Sequence, residues 1–112
     1  MKIKTLTLLA GAAVVAFAPT AVMAAGKTIA VSWKTFQEER WKTDEAAIKA
    51  VVEAAGDTYV STDAQTSAAK QAADIESLIS QGVDVILVVA YDSDAILPSI
   101  QKINDAGIKA IA

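Results

Sequence analysis

The sequence predicts an α/β fold: a three-layer arrangement of one parallel sheet with helices on both faces. Three observations carry the prediction. Short β-branched, apolar runs recur roughly every 25–30 residues, the length of a βα unit. The stretches between them place apolar residues at helical spacing, and each closes on a glycine. One run, Val83–Ala90 (VDVILVVA), is almost continuously apolar. A strand of that kind is covered on both faces.

The elements follow in order. Thr28–Ser32 (TIAVS) reads as the first strand. In the first helix Trp41, Ile48, Val51, Val52 and Ala55 share one face, and Gly56 stops it. Thr58–Ser61 (TYVS) is the second strand. Ala68, Ala72, Ile75 and Ile79, with Leu78 beside them, form the stripe of the second helix; Asp63 or Thr66 can cap its start and Gly82 ends it. Val83–Ala90 is the third strand. Ile96, Ile100 and Ile103 mark the third helix, with Asp92, Ser93 or Asp94 as cap, Pro98 near the first turn and Gly107 at the end. Ile108–Ala112 (IKAIA) is the fourth strand. The order is β-α-β-α-β-α-β, with right-handed crossovers expected.

Residues 1–24 stand apart. Lys2 and Lys4 give a positive start, Leu6 to Ala18 carries no charge, and Pro19 and Thr20 break the run. Small residues then precede Ala25. This is the order of a secretory signal peptide, with cleavage expected after Ala24 and, as second choice, after Ala25. A membrane-spanning helix needs about 20 apolar residues, and this run is shorter. The domain reading is therefore a signal peptide over 1–24 and a folded part over 25–112, delivered to the periplasm of a two-membrane bacterium.

Composition excludes several chemistries. The 112 residues contain no Cys and no His. There is no thiol nucleophile, no thiolate metal site and no Ser-His-Asp triad. Ten basic residues against 13 acidic ones give a net charge of −3, so there is no electrostatic footprint for nucleic acid. The first strand is not followed by a Gly-x-Gly-x-x-Gly or a P-loop. The acidic pair of a phosphoacceptor domain is also missing, because the strand ends in Ser32-Trp33. Asp92 and Asp94, two residues apart before a helix, read as a cap rather than as metal ligands. Neither a cofactor nor a metal is expected, and no enzyme activity.

In open α/β sheets, ligands bind outside the carboxyl ends of the strands. The loop expected after the first strand runs from Trp33 through Lys34 and Phe36 to Arg40 and Trp41, and the third strand leads into Tyr91 and Asp92. Aromatic faces mixed with planar donors and carboxylates suit a neutral sugar. A ring packs on the C–H face of a pyranose, Arg40 donates in a fixed fork to adjacent hydroxyl oxygens, and Asp92 or Glu39 accepts. Trp41 also shares the helix stripe with Ile48, so a core role stays open for it, as a solvated helix-face role does for Arg40.

Several stretches carry a family resemblance. Glu39-Arg40-Trp41 followed by Asp44, then Gln81-Gly82-Val83-Asp84-Val85-Ile86-Leu87-Val88-Val89, Tyr91 and Asn104-Asp105-Ala106-Gly107-Ile108-Lys109 resemble the opening of periplasmic sugar-binding proteins of the ribose/xylose type, nearest to the D-xylose-binding branch. The resemblance implies a type I periplasmic-binding-protein-like fold that closes two lobes on one monosaccharide, a pentose such as xylose, and a membrane permease of an ABC importer as partner. It implies that Arg40 hydrogen-bonds the sugar and that Trp41 walls the site. Asp92 stands where the family often has Asn, and Trp33-Lys34 where it commonly has an acidic loop. A chemotaxis or sensing receptor is the alternative reading. Members of such a family run to roughly 300 residues. The resemblance thus reads as an incomplete N-terminal lobe, a fragment or truncated product, expected to bind sugar weakly or not at all by itself.

Overall fold

The computed structural model describes Gly11 and residues 26–112. The expected leader lies outside the described residues apart from Gly11. Strands and helices alternate as β1 Thr28–Trp33, α1 Glu39–Ala54, β2 Thr58–Asp63, α2 Ala68–Ser80, β3 Val85–Val88, α3 Leu97–Asp105 and β4 Lys109–Ile111. The strands form one parallel sheet in the order β2-β1-β3-β4. This is the α/β layering that the 25–30-residue beat predicts, at roughly the length of one βα unit per repeat.

Alternation along β1 sorts the two faces. Ala30 points toward α2 and α3, where it joins Ile86, Val88, Ile75, Leu78, Ile96 and Ile103 in the main core. Ile29, Val31 and Trp33 point the other way, toward α1. Each helix ends on a glycine of positive φ, Gly56 at 80°, Gly82 at 71° and Gly107 at 73°. The chain there turns left-handed at little steric cost and returns to the sheet. Two carboxylates fix the start of β1: Asp57 Oδ1 accepts from the Lys27 N–H at 2.8 Å, and Asp84 Oδ2 accepts from the Thr28 N–H at 2.8 Å.

Several expectations need correction. Trp33 is not in a loop: it pairs with Asp63 in the ladder and is 1% exposed. The strand's own alternation carries it inward, and burying an indole is strongly favoured. β2 runs two residues beyond the predicted Ser61 for the same reason, since Thr62 and Asp63 find partners in Ser32 and Trp33. β3 is shorter than Val83–Ala90, because its ladder with β1 runs only from Val85 to Val88. The cap of α2 is neither Asp63 nor Thr66 but Ser67, whose Oγ accepts from the Lys70 N–H at 3.1 Å. Asp63 Oδ1 instead turns the loop by accepting from the Gln65 N–H at 2.8 Å.

Val51, expected on a buried stripe, is 71% exposed. Together with Ile29, Ala47, Ile48, Val52 and Leu87 it lines an apolar groove of about 310 Å³ between α1 and the sheet. Among the described residues α1 is the cover on this face, and one helix does not span four strands.

Candidate functional site

At the carboxyl end of β1 the backbone leaves the sheet at Lys34 and reaches α1 five residues later. Thr35, buried, sets this short loop by accepting from the Gln37 N–H at 3.1 Å through its Oγ1. Five of the predicted site residues converge here. The Trp33 ring lies 5.5 Å from Phe36 and 6.1 Å from Trp41, centroid to centroid and tilted in both cases. Tilted pairs at such distances suit the ring quadrupoles. Lys34 Nζ stands over the Trp41 ring at 4.8 Å from its centroid, and Arg40 Cζ at 4.6 Å. One indole therefore holds two cations. Arg40 also reaches Asp44 at 3.7 Å, an exposed pair that contributes little.

The roles of Trp33 and Trp41 are thereby separated. Trp33 is buried scaffold. Its Nε1–H donates to the Tyr59 hydroxyl at 3.1 Å, and Tyr59 donates onward to Glu45 Oε1 at 3.0 Å. Burial pushes the Tyr59 phenol above the usual tyrosine range; the Trp33 bond opposes this and the Glu45 carboxylate adds to it. Trp41 lies in the first turn of α1 and is half-buried. Among the described residues its buried Nε1 has no hydrogen-bond partner, so a donor remains unspent beside Lys34 and Arg40.

Tyr91 and Asp92 stand at the end of the neighbouring strand. Tyr91 is 49% exposed. Asp92 Oδ1 accepts from the Asp94 N–H at 2.9 Å and the Ala95 N–H at 2.8 Å, closing the turn that leads into α3. The Ala95 bond first, then the Asp94 bond, holds this exposed carboxyl below the usual aspartate range. The expected cap is thus corrected: α3 starts after Ile96 with no side-chain cap, and Asp92 closes the preceding turn with both bonds on the same oxygen.

Sequence reasoning missed part of this region. Beside the predicted Phe36, the residues Thr35, Gln37, Asp63 and Gln65 line a cleft of about 370 Å³ between the loops after β1 and β2. Gln65 and Thr66 adopt left-handed backbone, φ 52° and 61°, which brings the Thr66 N–H within 2.9 Å of the Lys34 carbonyl and ties the two loops together. Strain of this kind gathers at functional sites. A cluster of polar residues directly after a strand was the available signal. Gln71 was also missed, although it falls at i, i+4 and i+7 with Ile75 and Leu78.

Comparison with known proteins gives a consistent picture. A family profile described as a periplasmic binding protein domain matches residues 29–112. The chain is 31% identical over 84 residues to the ribose import binding protein RbsB of Bacillus subtilis (strain 168), which covers 75% of this chain and 28% of that protein. It is 31% identical over 111 residues to the multiple sugar-binding periplasmic receptor ChvE of Rhizobium radiobacter, covering 96% of this chain and 30% of that one. Among solved structures, an ABC transporter solute binding protein from Clostridium phytofermentas with bound L-rhamnose superposes with a TM-score of 0.72 at 30% identity, covering 76% of this chain and 27% of that one. The chain spans less than a third of the length of these relatives.

Proposed function

The chain belongs to the periplasmic binding protein domain family, and from that premise we propose that it forms part of the sugar-recognising lobe of an ABC importer's solute receptor, with D-xylose as ligand. The observation that carries the reading is the indole of Trp41 holding Lys34 and Arg40 together at a strand's carboxyl end. A sugar hydroxyl offers lone pairs, and the two cations over the Trp41 ring supply donors for them. In this reading Trp41 orients donors and Phe36, half-buried beside it, offers a ring edge or face to the sugar's C–H groups. Asp92 keeps its second carboxylate oxygen for a hydroxyl donor. Tyr91, exposed at the same end, walls the β3 side.

No group in this arrangement is set up as a nucleophile with a base, so capture and release of an unaltered sugar is the activity proposed. The leader over residues 1–24 delivers the protein to the periplasm, and the importer's membrane permease is its partner. Mass spectrometry of the exported protein is expected to find an N-terminus at Ala25 or Gly26.

A lobe that supplies one wall of a site binds weakly, because each contact must offset ordering and desolvation costs without its opposite partner. The test is therefore an NMR titration of the 112-residue chain with D-xylose into the tens of millimolar. The Trp41 indole N–H and the Arg40 side chain are expected to shift, and to shift less with D-ribose and D-glucose. Shifts confined to residues away from these loops, or none at all, sink the reading; a larger response to another sugar overturns xylose alone.

A further inference from the structure

The side chain of Gln71 is 1% exposed and lies beneath the junction of β1 and β3. Its Nε2 donates to the Val89 carbonyl at 2.9 Å and contacts Ser32 Oγ at 3.2 Å and the Ser32 carbonyl at 3.4 Å. Its Oε1 accepts from the Tyr91 N–H at 2.9 Å. In a parallel ladder one residue of a strand donates to the carbonyl before its opposite number and accepts from the N–H after it. Gln71 makes this same pair of bonds around Ala90, with a side-chain amide in place of a peptide. The β1–β3 ladder ends at Ser32 and Val88, and the last backbone bond beyond it runs from the Val89 N–H to the Ser32 carbonyl at 2.9 Å. Past that point the polar groups of Val89 and Tyr91 have lost their neighbouring strand.

We propose that Gln71 is a positioning residue: its amide extends the sheet by one step and thereby fixes the Ala90–Tyr91 peptide, which leads into Asp92 at the mouth of the site. The consequence for sugar recognition rests on the receptor reading above, whereas the positioning itself does not. A chain end bent away at Ala90 would carry both Tyr91 and the turn-closing carboxylate of Asp92 with it. Gln71 acts through the backbone and is assigned no contact with ligand.

Hydrogen exchange followed by NMR on the full chain tests this with two variants. Gln71→Met keeps the side chain's length and removes both bonds. The Tyr91 amide is expected to exchange roughly tenfold faster or more, the scale set by one lost buried hydrogen bond, while the Ala30 and Val31 amides of β1 keep their protection. Gln71→Glu supplies the rescue: as a neutral acid it still donates to Val89 and accepts from Tyr91, but as a carboxylate it faces the Val89 and Ser32 carbonyls. Burial holds that acid neutral to higher pH than usual, so Tyr91 protection is expected near that of the unaltered chain at pH 5 and lost as pH rises, with no such step in the unaltered chain. Unchanged Tyr91 exchange in both variants, or equal acceleration of every amide, overturns the proposal. A silent xylose titration sinks the receptor reading and leaves this result standing.

Discussion

Tyr59 and Asp92 show how single side chains set the pH range over which the strand ends hold. The Tyr59 phenol is raised first by burial, so the folded state favours the protonated form. Its contribution is fully present below the ordinary tyrosine value, about pH 10, and is lost as pH rises through the folded value. Thermal denaturation from pH 7 to 11 is expected to show an alkaline loss that Tyr59→Phe reduces. The same variant is expected to cost about 1 kcal/mol at pH 7 through the bonds to Trp33 and Glu45. Asp92 has the opposite sign. Its carboxylate is favoured by the Ala95 and Asp94 amides, so its contribution is present above the ordinary aspartate value and lost as pH falls through the lower folded one. Asp92→Asn keeps an oxygen that accepts from both amides, and NMR of the Ala95 N–H is expected to lose its acid titration while the turn stays closed.

Between elements, the two faces of the sheet differ in what they contribute. Leu78 of α2 is fully buried against Ala30, Ile86 and Val88, and Leu78→Ala is expected to cost about 2–5 kcal/mol. Val51 of α1 is an apolar residue of similar kind at a similar helical position, yet Val51→Ala is expected to change stability by about 0.5 kcal/mol or less, as for other exposed sites. Denaturant unfolding of the two variants measures the contrast directly. Ser67 gives a third case. Its hydroxyl satisfies one of the amides that α2's first turn leaves unpaired, and Ser67→Ala is expected to cost about 1 kcal/mol in the same assay.

At the scale of the molecule, the open α1 face is the main feature. A contiguous groove lined by Ile29, Ala47, Ile48, Val51, Val52 and Leu87 is the kind of apolar patch that marks an interaction or assembly surface. It is expected to bind a hydrophobic dye such as anilinonaphthalene sulfonate in the native state. Val51→Glu is expected to lower that fluorescence without altering the unfolding midpoint; an unchanged signal places the dye elsewhere. The proposed site lies at the strands' carboxyl ends, away from this groove, so the Glu variant is also expected to leave the proposed Trp41 response to D-xylose intact.

The layering, the parallel sheet, the helix ends at Gly56, Gly82 and Gly107 and the grouping of Lys34, Phe36, Arg40 and Trp41 were legible in the sequence. Each depends on spacing or local backbone preference, which neighbours in the chain decide. The rest depended on partners far along it. Trp33 became scaffold because Asp63, thirty residues on, extends the ladder to meet it. Val51 stayed exposed because a stripe on a helix records only that the residue seeks cover, and no other described element reaches that face. Gln71 drew its meaning from Ser32, Val89 and Tyr91. A lone polar residue in an apolar stripe shows that a buried bond is needed, and only the packed structure supplies the orphaned strand end that it satisfies.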